Sequence, residues 1–144
     1  MENKWILLVE DNADDEELTR RALKKNKILN ELVVARDGAE ALDYLLGSDN
    51  GDGHTAQKLP AVILLDLKLP KIDGLEVLRQ LRENEKTACI PVVILTSSKE
   101  EQDIANAYKN GCNSYIRKPV DFIQFNDAVQ SLGLYWLMLN EVPE

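Results

Sequence analysis

The sequence predicts an α/β protein with a doubly wound, five-stranded parallel sheet and five helices. Two observations predict it: five short apolar runs recur along the chain, and each is followed by a stretch whose apolar residues repeat with helical spacing. Nearly continuous apolar runs are what parallel strands need when both their faces are covered, and strict strand–helix alternation implies right-handed crossovers within one sheet. A third observation concerns chemistry: four of the five runs end in polar or charged residues, at the edge of the sheet where ligands gather in such folds.

The first run is Trp5-Ile6-Leu7-Leu8-Val9, followed by a helix marked by Leu18, Ala22 and Leu23. Leu32-Val33-Val34-Ala35 is the second strand. Its helix is marked by Ala39, Leu42, Leu45 and Leu46, and begins at a capping box, Asp37-x-x-Glu40, that satisfies free N–H groups at the helix start. The third strand, Ala61-Val62-Ile63-Leu64-Leu65, precedes a helix carrying Leu75, Leu78 and Leu81. The fourth, Pro91-Val92-Val93-Ile94-Leu95, leads through a second capping box, Ser98-x-x-Glu101, into a helix marked by Ile104, Ala105 and Tyr108, with Gly111 as its stop. Ser114-Tyr115-Ile116 is the fifth strand, and Phe122, Phe125, Val129 and Leu132 mark the last helix.

Two segments stand outside this repeat. Residues 47–58, rich in Gly, Asp and Ser, read as a long solvent loop that carries the only histidine, His54. The apolar tail at 134–139 is too long to be left exposed without a reason.

Composition narrows the class of function. At 144 residues and 44% hydrophobic content the chain reads as one compact domain, residues 1–144, with a C-terminal extension at about 133–144. Cys89 and Cys112 stand far apart, outside any CxxC arrangement, and read as buried or idle thiols in a reducing compartment. The early acids and short apolar run at the N-terminus do not form a secretory signal, and no segment reaches the ~20 apolar residues that span a bilayer, so a cytoplasmic protein with no membrane partner is expected. Seventeen basic against twenty-five acidic residues give a net charge of −8, which argues against direct nucleic-acid binding. Signalling would then run through protein contacts.

The strand ends carry the chemistry. Strand one ends in Glu10-Asp11, strand three in Asp66, strand four in Thr96-Ser97-Ser98 and strand five in Arg117-Lys118-Pro119. Converging carboxylates repel one another unless a cation neutralises them, and all-oxygen ligation favours a hard ion, so Glu10, Asp11 and Asp66 are read as a Mg2+ site that would also take Mn2+. A carboxylate beside such an ion can attack a phosphoryl donor while the ion and a lysine, here Lys118, absorb the charge of the transferring oxygens. Thr96 could then donate its hydroxyl to the phosphoryl group. Each residue alone has a plainer reading: Asp11 or Asp14 as a helix cap, Lys118-Pro119 as a turn. On four strand ends of one sheet, with 30 residues from Asp66 to Thr96 and 22 from Thr96 to Lys118, the plain readings lose their force.

The segments Leu7-Leu8-Val9-Glu10-Asp11-Asn12, Leu64-Leu65-Asp66-Leu67-Lys68-Leu69-Pro70 with Asp73-Gly74, Ile94-Leu95-Thr96-Ser97-Ser98 and Tyr115-Ile116-Arg117-Lys118-Pro119 resemble the receiver domain of two-component response regulators. The resemblance covers roughly residues 4–132 and implies the flavodoxin-like receiver fold. It implies Asp66 as phosphoacceptor for a sensor histidine kinase, with Asp11, Asp66 and the Lys68 backbone carbonyl on the metal and Glu10 acting largely through water. Thr96 and Tyr115 would form the switch pair, and the Lys118–Pro119 bond would be cis. Glu10 stands where Asp is frequent, and Lys68 and Ser98 occupy positions that in the family help set the phosphate lifetime.

A narrower likeness joins the long loop, residues 31–42 and the terminal Tyr-Trp-Leu-x-Leu-Asn at 135–140 to stand-alone receivers that partner phytochrome-type kinases. It implies a homodimer through the fourth helix, fifth strand and fifth helix, with Tyr135, Trp136 and Leu139 as candidate contacts. The alternative is a tail folded back as a longer fifth helix. Rival functions fit less well. A haloacid-dehalogenase-type phosphatase needs an acid two residues after its nucleophile, where Lys68 stands, and a dinucleotide site needs a glycine-rich turn where Glu-Asp-Asn-Ala-Asp-Asp stands. A pseudo-receiver, which has the fold but signals without phosphorylation, remains the alternative.

Overall fold

The computed structural model describes residues 5–28, 30–47, 59–97 and 101–131. Its strands are β1 (Ile6–Val9), β2 (Leu32–Ala35), β3 (Val62–Asp66), β4 (Val92–Thr96) and β5 (Ser114–Arg117), all parallel, in the order β2-β1-β3-β4-β5. The helices are α1 (Ala13–Lys25), α2 (Gly38–Leu42), α3 (Gly74–Glu83), α4 (Glu101–Lys109) and α5 (Phe122–Ser131). This is the predicted doubly wound fold. The order of connection reverses at β1, which places a crevice beyond the carboxyl ends of β1 and β3.

Alternation of side chains splits each apolar run between two cores. Ile6, Leu8, Leu64, Val93, Leu95 and Ile116 face one side and pack with Ala22 and Leu23 of α1 and Phe125 and Ala128 of α5. Leu7, Val9, Ile63, Leu65, Val92 and Ile94 face the other and pack with α2, α3 and α4 through Ala41, Val77, Leu78, Leu81 and Ala107. A run with no polar residue is therefore two interleaved half-runs, one for each helical layer.

Helix ends follow the local chemistry. Asn12, rather than Asp11 or Asp14, caps α1 by accepting a hydrogen bond from the Asp15 N–H at 2.9 Å. Asp37 caps α2 through the Glu40 N–H at 2.8 Å, but the returning Glu40 carboxylate accepts from the Arg36 N–H instead of closing the box on Asp37. Gly111 ends α4 at φ +100°, its N–H donating to the Tyr108 carbonyl and that of Cys112 to the Ala107 carbonyl. That pair of bonds is the Schellman arrangement, which needs a left-handed residue and so favours glycine.

Some expectations are corrected. The second helix passes after Leu42 into a π-helical turn over Asp43–Gly47, so Ala41 and Leu45 face the core in place of Ala39. Gly47 thus belongs to that turn. In α4 the buried residue is Ala107, while Ala105 is exposed and Tyr108 is 48% exposed. The predicted stripe was out of phase by part of a turn because a nine-residue helix offers too few apolar positions to fix its phase. Tyr108 instead meets the Tyr115 ring edge-on, with centroids 6.0 Å apart. Cys112 is buried, its thiol pushed up to about 11 by burial, whereas Cys89 is exposed.

Residues 48–58 with His54, Ser98 of the second capping box, Leu132, and the tail with Tyr135, Trp136 and Leu139 lie outside the described residues, as do the side chains at 122 and 129. Among the described residues no helix is long and apolar enough to cross a membrane.

Candidate functional site

The strand ends converge as the sequence requires. Pairing of β1 with β2 continues one residue past the strand, where the Glu10 N–H donates to the Ala35 carbonyl at 2.9 Å, and this delivers a fully buried Glu10 to the crevice. Asp66 is the last residue of β3 and is 5% exposed. Asp11 follows Glu10 and is exposed. Carboxylate oxygens of Glu10, Asp11 and Asp66 all lie within 4.8 Å of one another.

Lys118 sits against this cluster. Its Nζ is 2.9 Å from Glu10 Oε1, 3.0 Å from Asp15 Oδ2 and 3.2 Å from Asp66 Oδ2. The other Asp66 oxygen accepts from the Lys68 N–H at 3.3 Å, which turns the loop after β3 back over the site. Thr96 ends β4, is 1% exposed and lies one residue beyond Leu95, the register partner of Asp66. Its carbonyl accepts from the Lys118 N–H at 2.8 Å. The Lys118–Pro119 peptide is cis, as the motif resemblance implied. Tyr115 is half-buried one strand away, packed on the α2–α4 side of the sheet.

The donor set fits a hard divalent cation. Glu10, Asp11 and Asp66 share the site with one ammonium, which also holds Asp15, so negative charge remains uncompensated, and every side-chain donor is an oxygen. Glu10 Oε1 is buried with the Lys118 ammonium 2.9 Å away, but that one ammonium is shared with Asp15 and Asp66, so the cluster stays short of positive charge, which a divalent cation would supply.

The chain matches the response regulator receiver domain family over residues 6–130. It belongs to that family. Receiver domains are signalling phosphoacceptors that work with histidine kinases, and phosphorylation-dependent signalling is the family's function. Among individual relatives, the structure of the bacteriophytochrome response regulator AtBRR is 53% identical, covers 98% of this chain and 100% of its own, and aligns with a TM-score of 0.83. The probable methanogenesis regulatory protein FilR2 of Methanothrix harundinacea is 42% identical over 138 residues, covering 96% of this chain and 86% of its own. The response regulator Rcp1 of Synechocystis sp. is 38% identical over 140 residues, covering 97% and 93%. The structure of its Mn2+-bound form aligns with a TM-score of 0.75.

The electrostatics of this receiver follow from burial. Desolvation raises the Glu10 carboxyl from its ordinary 4.5 to about 7, with the nearby Asp66 adding to the shift and Lys118 opposing it. Lys118 is itself largely buried, which works against its charge, but Glu10, Asp15 and Asp66 outweigh that and hold it above the usual lysine range. For Glu10 the folded protein keeps a proton between about 4.5 and about 7 that the unfolded chain has lost. Its contribution to stability in the metal-free protein therefore falls as pH rises through that window. Glu10→Gln removes the titration, so metal-free urea midpoints measured from pH 4.5 to 7 should decline less steeply in the variant than in the natural chain.

Two residues of the site had no signal in the motif pattern. Asp15 is one of four consecutive acids, Asp14, Asp15, Glu16 and Glu17, that read only as a helix start. Gln124 of α5 lies outside every motif, yet its amide donates to the carbonyls of Arg117 and Pro119 at 3.0 and 3.2 Å and accepts from the Arg117 N–H at 3.2 Å. It thus braces the backbone on both sides of Lys118.

Proposed function

We propose that Asp66 is the phosphoacceptor of this receiver and that the chain signals by phosphorylation-dependent protein contacts. One observation carries the reading: a nearly buried carboxylate at the end of β3 has a lysine ammonium on one oxygen and two further carboxylates within reach of the same cation. An Asp66 oxygen would attack the phosphorus of the kinase phosphohistidine, the P–N bond would break, and the departing imidazole would take up a proton. Asp11 and Asp66, with the Lys68 carbonyl, would hold Mg2+ or Mn2+ directly, and Glu10 would hold it largely through water. The bound ion supplies charge neutralisation for the transferring oxygens. Lys118 places its ammonium beside those oxygens, and Thr96, on the neighbouring strand, donates its hydroxyl once the group has arrived. Movement of Thr96 would let the half-buried Tyr115 ring turn inward, passing the signal to the face of α4, β5 and α5. The chain is then a phosphoacceptor that assists its own phosphorylation and dephosphorylation, and not an enzyme acting on outside substrates.

The likeness to AtBRR and Rcp1 supports a phytochrome-type sensor kinase as partner, in the cytoplasm. Residues 1–144 would act as one receiver domain with an extension at about 133–144. Exposed Tyr108 on α4 and Ile123, 67% exposed on α5, support a homodimer through this face, to which Tyr135, Trp136 and Leu139 would add aromatic and apolar anchors. The excess of acidic residues favours a protein target over nucleic acid.

The test is intact-protein mass after incubation with a small acyl phosphate and Mg2+, beside an EDTA control and Asp66→Asn. One added phosphoryl group that disappears in both controls is the expected result. Folded natural protein that adds none with any donor or metal would leave the pseudo-receiver.

A further inference from the structure

We propose that Asp15 is a positioning residue for Lys118, holding the lysine ammonium on the phosphoacceptor from the first turn of α1. The inference rests on Asp66 being the phosphoacceptor.

An ammonium has three N–H groups, and Lys118 has three carboxylates within ion-pair distance: Glu10, Asp66 and Asp15. Glu10 and Asp66 come from strand ends, but Asp15 reaches over from a helix and approaches Nζ at 3.0 Å. Its backbone is tied on both sides. The Asp15 N–H donates to the Asn12 side chain at 2.9 Å, and the Asp15 carbonyl accepts from the hydroxyl of Thr19 at 3.0 Å, itself fully buried. Lys118 is equally fixed at its backbone, by the Thr96 carbonyl and by the Gln124 brace. The pair therefore joins two rigid elements across the site.

A helix N-terminus welcomes any acid through its dipole, and Asp14, Asp15 and Glu16 all satisfy that general preference. It does not explain why Asp15 in particular contacts the lysine. Glu16 is occupied with Arg20 and Arg36, Glu17 with Arg21, and Asp14 is exposed. Without Asp15, one N–H of the ammonium is released, the four-carbon stem regains rotamer freedom, and Nζ spends less time against Asp66. A lysine that must be re-oriented at each turnover stabilises the transferring oxygens less.

The experiment follows phosphoryl uptake from a small acyl phosphate with Mg2+, at saturating donor, in the full chain. Asp15→Ala is expected to slow uptake by about tenfold, an activation difference of about 1.4 kcal/mol, with a smaller loss for Asp15→Asn, which keeps an oxygen acceptor. Asp14→Ala, which removes an equal charge from the same helix turn, should leave the rate near that of the natural chain. In a Lys118→Met background, Asp15→Ala should cost nothing further, because its action passes through the lysine. A merely structural role would lower the urea midpoint and slow uptake equally in both backgrounds. Uptake by Asp15→Ala at the natural rate, or an undiminished loss in the Lys118→Met background, overturns the proposal. Should Asp15→Ala fail to fold, the same comparison is made with Asp15→Asn. Lack of uptake by the natural chain itself would overturn the phosphoacceptor reading, and this proposal with it, and is seen in a separate arm.

Discussion

Lys118→Met is expected to lower stability by about 3–5 kcal/mol in the absence of metal, because it leaves a buried charge without its partner. Glu10 is fully buried and Asp66 nearly so, and Lys118 is the cation that contacts both. Urea unfolding at pH 8 measures the loss. Two further outcomes identify its cause. Adding Glu10→Gln to Lys118→Met should recover part of the stability, since the orphaned carboxylate is then neutral, whereas a loss due to packing alone would not be recovered. Uptake of a phosphoryl group should also fall by about 10²–10³, the usual effect of removing one preorganised charge or donor from a site where negative charge develops. Retained stability together with retained uptake would show that the three-way ion pair is incidental.

Gly74→Ala is expected to disturb the same site from the opposite side. A Cβ at Gly74 would lie 2.3 Å from the Asp66 carbonyl oxygen and 2.8 Å from Leu67 Cα, both backbone atoms that no side-chain rotation can move aside. The Gly74 N–H also donates to the Leu67 carbonyl at 2.9 Å, so strand end and helix start are pressed together here. Helix propensity opposes this, as Ala is better than Gly by about 1 kcal/mol within a helix. Position decides the balance: Gly74 is the first residue of α3, after the Asp73 cap, where that advantage is smallest, and overpacking costs about 1–3 kcal/mol. The expected outcome is a lower urea midpoint together with slower phosphoryl uptake, because relief of the clash must push the start of α3 and the Asp66–Leu67 backbone apart. A variant with unchanged midpoint and rate would mean that the β3–α3 junction yields more easily than its contacts imply.

Much of this could be read directly from the chain. The five apolar runs became five strands displaced by at most one residue, since a run of four or five apolar residues between polar ends has few alternatives inside a parallel sheet. Glu10, Asp11, Asp66, Thr96 and Lys118 met in one crevice because each follows or ends a strand, and parallel strands put all such ends on one edge. Helical phase was less legible. Ala39 and Ala105 were placed on buried faces that Ala41 and Ala107 occupy, since short helices with several alanines carry little periodic contrast.

The sequence by itself determined the layered fold, the edge on which chemistry would gather, and the residue types available there. These depend on local pattern and connection, which a linear chain displays. Only the tertiary structure decided that Asp15, among four adjacent acids, would take hold of Lys118, and that Gln124 would brace the lysine from α5. Asp15 meets a lysine 103 positions along the chain because of the angle at which α1 leaves its strand and the face it turns to the site, whereas Gln124 reaches back seven positions to Arg117 from the first turns of α5. That angle is set by the Asn12 cap and by packing of α1 and α5 on the sheet, through contacts that have no counterpart in residue order.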